Sequence, residues 1–203
     1  AYDGANRLQA VTDPNGLTTS YTYNAVDQVQ TATQPISRTY TYTYDEYDRL
    51  WTTADPRGVE VAYTYDALDR VKQVTYPGGQ NTFTYDILGR LDGYSDPTGV
   101  TNYSYDDASR VSQIVTPEGA VAYAYYDDGL RQSMTLDAGA PDARTVTYAY
   151  NNQGRLATIT DWLGRTNNLT YDGHGNLAGM AHYNNINTTY AYDAAGRLDN
   201  LHH

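Results

Sequence analysis

The sequence predicts an all-β protein built as a continuous antiparallel sheet of tandem hairpins, and three observations predict it. Thr, Tyr and Val alternate in short runs such as "RTYTYTYD" and "VEVAYTYD", the period-two pattern of a strand. Asp, Asn, Pro and Gly punctuate those runs every ten residues or so, as turns do. The whole pattern then recurs at a fixed interval, which marks a repeat architecture. Helical periodicity is absent.

The repeat is anchored on the Tyr that precedes an acid-rich turn: Tyr2, Tyr23, Tyr44, Tyr65, Tyr85, Tyr105, Tyr126, Tyr150, Tyr171 and Tyr192. On these anchors the spacings are 21, 21, 21, 20, 20, 21, 24, 21 and 21 residues. The array covers residues 1–203 as a single domain, about nine and a half repeats of a longer polypeptide.

Each period reads strand, turn, strand, turn. One position after the anchor stands Asp or Asn, whose side chain can accept hydrogen bonds from nearby backbone N–H groups and start a turn. Four positions on stand Asn6, Asp27, Asp48, Asp69, Gly89, Gly154, Gly175 and Gly196, with Ser109 and Leu130 as exceptions. Gly, Asn and Asp are the residues that tolerate the left-handed conformation closing a type I hairpin turn. Five positions on come Arg7, Arg49, Arg70, Arg90, Arg110, Arg131, Arg155 and Arg197. Gln28 and Asn176 take that place in two repeats, which predicts local weakness there. Leu or Val follows and opens the next strand. The second turn is "DPNG" (13–16), "DPRG" (55–58) or "DPTG" (96–99), with "YPGG" (76–79) and "TPEG" (116–119) as variants; Pro suits its second position and Gly its end. In the seventh period "LDAGAPDARTVTYAYNN" carries an insertion at this second turn, predicting one longer loop. Two strands and two turns per period give about 19 strands.

Across the short turn, the anchor Tyr and its Arg are expected to pair as aromatic and cation, with the following Leu or Val on the opposite face. As chemistry, the Tyr-Asp-Arg group reads poorly. An active site is a constellation placed once, with perturbed groups at that place, and here the group recurs along the chain.

Composition narrows function. There are 23 Tyr, one Phe and two Met, so amphipathic tyrosine replaces the usual apolar core. The net charge of −11 disfavours nucleic acid and anionic lipid as partners. No apolar run is long enough to cross a bilayer as a helix, so membrane insertion is not expected. No signal peptide is found in this chain, which starts inside a repeat. Absence of Cys removes disulfides and thiolate chemistry. Asp172, His174 and Asn176 alternate in "YDGHGN" but lack the further acids of a calcium loop, so a plain turn is expected, with neither metal nor cofactor. Tyr40, Tyr42 and Tyr44 on one strand face form the densest tyrosine patch. With Trp51 and Trp162 they are the candidate contacts for a cargo or glycan ligand.

The motifs "YDALDRV", "YDILGRL" and "YDAAGRL" resemble the YD repeat (RHS repeat) of Rhs proteins, toxin-complex C subunits and teneurins, over all 203 residues. The resemblance implies hairpins spiralling into a hollow shell. In bacterial members such a shell encloses a C-terminal toxin, and in teneurins it belongs to an adhesion receptor. It implies a secreted or cell-surface, non-enzymatic structural segment, whose partner is an enclosed toxin or effector segment or neighbouring repeats. The family's self-cleaving aspartyl segment is not recognised here. The alternative expectation is an extracellular adhesion or carbohydrate-binding module. Exposed sheet edges also predict end-to-end self-association.

Overall fold

A computed structural model describes residues 1–202, with nineteen strands and no helix among them. The chain divides into two units, Ala1–Val100 and the remainder from Thr101. The first contains β1 (Ala10–Thr12), β2 (Thr18–Tyr23), β3 (Val29–Gln34), β4 (Arg38–Tyr44), β5 (Leu50–Ala54), β6 (Glu60–Tyr65), β7 (Val71–Tyr76), β8 (Gly79–Tyr85) and β9 (Leu91–Asp96). β10 (Gly99–Tyr105) contains the division. The second unit continues with β11 (Val111–Thr116), β12 (Gly119–Tyr125), β13 (Arg131–Leu136), β14 (Arg144–Tyr150), β15 (Leu156–Thr160), β16 (Thr166–Tyr171), β17 (Leu177–Ala181), β18 (Asn187–Tyr192) and β19 (Leu198–His202). Within each unit every strand pairs antiparallel with the next in sequence.

The turn after each anchor Tyr has one construction. Asp45 accepts the N–H groups of Tyr47 and Arg49 on Oδ1, at 2.9 and 3.0 Å, while its carbonyl accepts from Asp48 N–H at 3.1 Å. Asp48 closes the turn at φ 63°. All ten copies place a left-handed residue there, including Ser109 at φ 62°. The register then shifts by one: Thr43 faces Thr52 but Tyr44 faces Leu50, which leaves Trp51 as the bulged residue.

The second turns fall into two kinds. "DPNG" and "DPRG" reproduce the first turn, with Asp13 and Asp55 accepting two backbone N–H groups each and Gly16 and Gly58 left-handed. "YPGG" and "TPEG" are tighter, pairing Tyr76 with Gly79 and Thr116 with Gly119 around two central residues. The insertion does lengthen a loop, over 137–143 between β13 and β14.

Two corrections follow from the register. The seventh anchor is Tyr125, not Tyr126: Tyr125 faces Arg131 as Tyr44 faces Leu50, and Tyr126 occupies the Asp position of the turn closed by Gly129 at φ 90°. Leu130 therefore holds the arginine position, and Arg131 stands one place beyond it. Counted this way the sixth and seventh spacings become 20 and 25 residues (105 to 125, 125 to 150). Spacings of 20 then coincide with the tight or short Pro turns at 76–79, 96–99 and 116–119, and the insertion makes the 25. Second, Leu50, Val71 and Leu91 are direct cross-strand partners of Tyr44, Tyr65 and Tyr85, so they share the tyrosine face and do not oppose it. The bulge adds one residue after the turn and inverts the parity that plain alternation predicts.

One face of each sheet is tyrosine and aliphatic, in rows such as Tyr63 opposite Val74 and Tyr123–Met134–Val146. The other face is polar. Its threonines pair hydroxyl to hydroxyl, as Thr22–Thr31 at 2.6 Å, Thr43–Thr52 at 2.7 Å and Thr135–Thr145 at 2.9 Å, each cross-strand pair being worth about 0.2–1 kcal/mol. Among the described residues no apolar side chain is fully buried. Stability is distributed along the hairpins and not centred in a core.

Candidate functional site

Where the recurring Tyr, Asp and Arg are all present, they meet in a joint that links one hairpin to the next within a unit. Arg49 leaves its turn and gives two N–H bonds to Asp45 Oδ2, from Nε and a terminal nitrogen, both at 2.8 Å. Its guanidinium then lies over the ring of Tyr65, the next anchor, with 4.6 Å to the centroid. Tyr65 Oη donates back to the Leu50 carbonyl at 2.7 Å. The same stacking joins Arg7 to Tyr23 (4.7 Å), Arg70 to Tyr85 (4.2 Å), Arg110 to Tyr125 (4.5 Å) and Arg155 to Tyr171 (5.6 Å). Arg90 and Arg197 hold Asp86 and Asp193, at 2.6 and 2.8 Å. Other anchor hydroxyls also reach the preceding repeat, as Tyr23 to Leu8 O, Tyr44 to Val29 O, Tyr150 to Arg131 O, Tyr171 to Leu156 O and Tyr192 to Leu177 O. Tyr2 is exposed and forms a bridge with Leu8.

The cation therefore pairs with the anchor of the following repeat, not with its own. Successive anchors are two strands apart, roughly 10 Å, and the guanidinium fills that gap. Its far end reaches the fourth residue of the next turn: Arg7 pairs with Asp27, Arg49 with Asp69. Where that residue is glycine, the guanidinium lies against it, as Arg70 does at Gly89 and Arg155 at Gly175. Gln28 performs the same span with an amide. It accepts from Asn24 Nδ2 at 2.7 Å and donates to the Asp48 carbonyl at 2.9 Å.

The joint's carboxylates are anchors. Asp66 is held below the ordinary value of 3.8, first by its hydrogen bond from the Arg70 guanidinium, with burial opposing and the Leu68 and Arg70 backbone N–H groups adding to the effect. Asp106 is lowered first by the Arg110 backbone N–H. A carboxylate so saturated stays ionised at neutral pH and has no proton to give. Burial raises the Tyr44, Tyr65 and Tyr150 phenols above 10.0, so these hydroxyls remain protonated donors. Among the described residues no three His, Cys, Asp or Glu side chains are arranged to hold a metal.

Tyr40 and Tyr42 lie half-buried on the tyrosine face of β4 with Tyr44, opposite Ala32, Thr53 and Leu50. Trp51 sits on the bulge, 55% exposed. Trp162 is in the turn at the other end of its hairpin, beneath Arg144 at 5.9 Å. That turn holds a feature the repeat reading passed over. In "DWLGR", Asp161 and Arg165 make the same ion pair at 2.6 Å, and Arg165 stacks on Tyr183 at 4.7 Å. The cue was the identical Asp-x-x-Gly-Arg spacing.

Hairpin repeats locked together by a forward-reaching arginine define the class of protein. The teneurin YD-shell family model matches residues 1–144, and the chain belongs to that family. Among solved structures, one of the Photorhabdus luminescens Tc holotoxin pore aligns over 90% of this chain and 13% of its own, at 16% identity and a TM-score of 0.59. A TcdB2-TccC3-TEV structure aligns over 98% and 15% at 16% identity and TM-score 0.54, and a TcdB2-TccC3-Cdc42 structure over 99% and 16% at 15% identity and TM-score 0.53. These likenesses are of fold. The chain spans 13–16% of the length of those three solved chains. No curated protein matches it significantly in sequence.

Proposed function

We propose that this chain is a single array of YD repeats forming part of the wall of a shell, and that the shell encloses or presents a C-terminal toxin or effector polypeptide. The wall acts as a structural element, not an enzyme. It belongs to a bacterial protein that is secreted or displayed at the cell surface. The observation that carries this reading is the joint: its recurring parts fasten hairpin to hairpin, with the carboxylates saturated and the phenols donating to backbone. The fold likeness to Tc toxin structures supports a toxin as the class of guest. The patch of Tyr40, Tyr42 and Tyr44 is the part of the wall offered to that guest.

Expression of the complete reading frame tests this. A downstream segment should resist protease in the intact particle and become sensitive when the particle is opened with denaturant, and electron microscopy should show an enclosed volume holding it. Immediate digestion of that segment in intact particles, or a particle without an internal volume, overturns the proposal.

A further inference from the structure

Three repeats lack arginine at the joint, and the space each leaves is treated differently. Gln28 fills its own. At Leu130 a hollow of about 420 Å³ remains beside Tyr150 and Gly154. There Tyr126 has replaced the acid and meets the Tyr150 ring edge-on at 6.2 Å, so the joint has become aromatic. At Asn176 the hollow is about 610 Å³, bounded by Asp172, His174, Asn176, Tyr192, Asp193 and Gly196.

This last hollow keeps every receiving part of the joint and lacks only the cation. Asp172 Oδ1 accepts the His174 and Asn176 backbone N–H groups, each at 2.9 Å, as its counterparts do. Its Oδ2 accepts one N–H, from Asn176 Nδ2 at 3.0 Å, where Asp45 Oδ2 takes two from Arg49. Tyr192 donates its hydroxyl to Leu177 O, which sets the ring in the usual anchor pose, and among the described residues no cation covers it. A Cβ built on Gly196 would meet nothing within 4 Å, whereas one on Gly175 would run into the Arg155 guanidinium. The space above the ring is the space an arginine occupies one repeat earlier.

We infer that the hollow between Asp172 and Tyr192 is a receptor site for a guanidinium group, and that its ligand is an arginine side chain from a second polypeptide segment. The chain itself specifies the ligand. At Arg7, Arg49, Arg70, Arg110 and Arg155 the equivalent space is filled by a planar cation stacked on the anchor ring. Arginine suits it better than lysine, because a flat fork can bond a carboxylate edge while its face lies on the ring. The acidic chain favours approach of a cationic segment. The inference holds whether or not the wall encloses a guest.

The test is titration of the isotope-labelled full chain with N-acetyl-arginine amide, read by amide chemical shifts. Saturable shifts are expected around 172–176 and 192–196, and the uncharged citrulline analogue should bind at least about tenfold more weakly, since a charge-assisted bond is replaced by a neutral one. Asn176→Arg should abolish binding and raise the melting temperature by filling the space from within. Asp172→Asn should weaken binding about tenfold or more while leaving the turn formed, because Asn24 and Asn151 accept the same two backbone N–H groups in their own turns. Absence of saturable shifts, equal binding of the citrulline analogue, or binding retained by Asn176→Arg each overturns the inference.

Discussion

Removing the Tyr65 hydroxyl isolates one bond of the joint. Tyr65→Phe keeps the ring beneath Arg49 and deletes only the donor that reaches Leu50 O at 2.7 Å. A net hydrogen bond of this kind contributes about 0.5–1.5 kcal/mol. Tyr65 is half-buried, so water can partly re-solvate the carbonyl and the expected loss is about 1 kcal/mol. Tyr47→Phe is the control: Tyr47 is 68% exposed, no bond of its hydroxyl is seen, and its loss should be within about 0.3 kcal/mol of zero. Urea unfolding followed by tryptophan fluorescence in a Trp162→Phe background reads the effect locally, because the remaining Trp51 is the bulged neighbour of Leu50. With a slope of about 2 kcal/mol per molar urea, the midpoint should fall by about 0.5 M for Tyr65→Phe. Equal midpoints for the two variants would refute the claim that the anchor hydroxyl fastens one repeat to the last.

Other expectations follow from the same geometry. In a double-mutant cycle Arg49→Ala should be non-additive with Tyr65→Leu and additive with Tyr44→Leu; the reverse result would restore pairing within one repeat. Asp66 and Asp106 titrate below 3.8 in the fold, so the folded state holds fewer protons there than the unfolded one. Their contribution is complete above 3.8 and lost as pH falls through the lowered values, so melting temperature should fall as pH drops below 3.8. The raised Tyr44 and Tyr65 phenols impose the opposite limit, with stability present below 10.0 and lost as pH rises through their folded values; a melting temperature flat at both extremes would contradict this. Gly196→Ala should cost about 1 kcal/mol for its left-handed backbone alone, and Gly175→Ala more, because Arg155 occupies the place of the new Cβ; equal melting shifts would dismiss that crowding. Tyr126→Asp and Leu130→Arg together should raise the melting temperature above that of either single variant by rebuilding a standard joint.

The hairpins were legible because their signals are local. Strand alternation, Asp at the turn start and a left-handed closer each occupy adjacent positions, and ten copies in register remove ambiguity. The joint was less legible because its partners lie about 15 residues apart, at the start of one strand and the end of the next, across the far turn of the hairpin. Sequence spacing placed Tyr44 and Arg49 across a turn, but Arg49 lies over Tyr65, and the extra residue at Trp51 sets Leu50, not the arginine, opposite Tyr44. The adjacent tyrosines of "AYYDDG" offered two anchors; the alternation of Tyr123 and Tyr125 in β12, together with Gly129 as the closer, favours the first. The hollow at Asn176 was visible only as a missing arginine. What the loss left behind depended on whether the neighbouring acid had also been replaced, as at Tyr126, or kept, as at Asp172.

The forward reach of the arginine gives the array a direction. Each period that carries the arginine presents an outgoing cation at one side and an incoming ring, with a small or acidic turn residue, at the other. Excision or duplication of a whole period rejoins an outgoing half to an incoming half of the same design, whereas a cut within a period leaves a cation facing a strand that cannot receive it. Lengthening or shortening by entire repeats is thus the change this architecture absorbs with least disruption, and a gene of this kind can drift in size in steps of 20 or 21 codons.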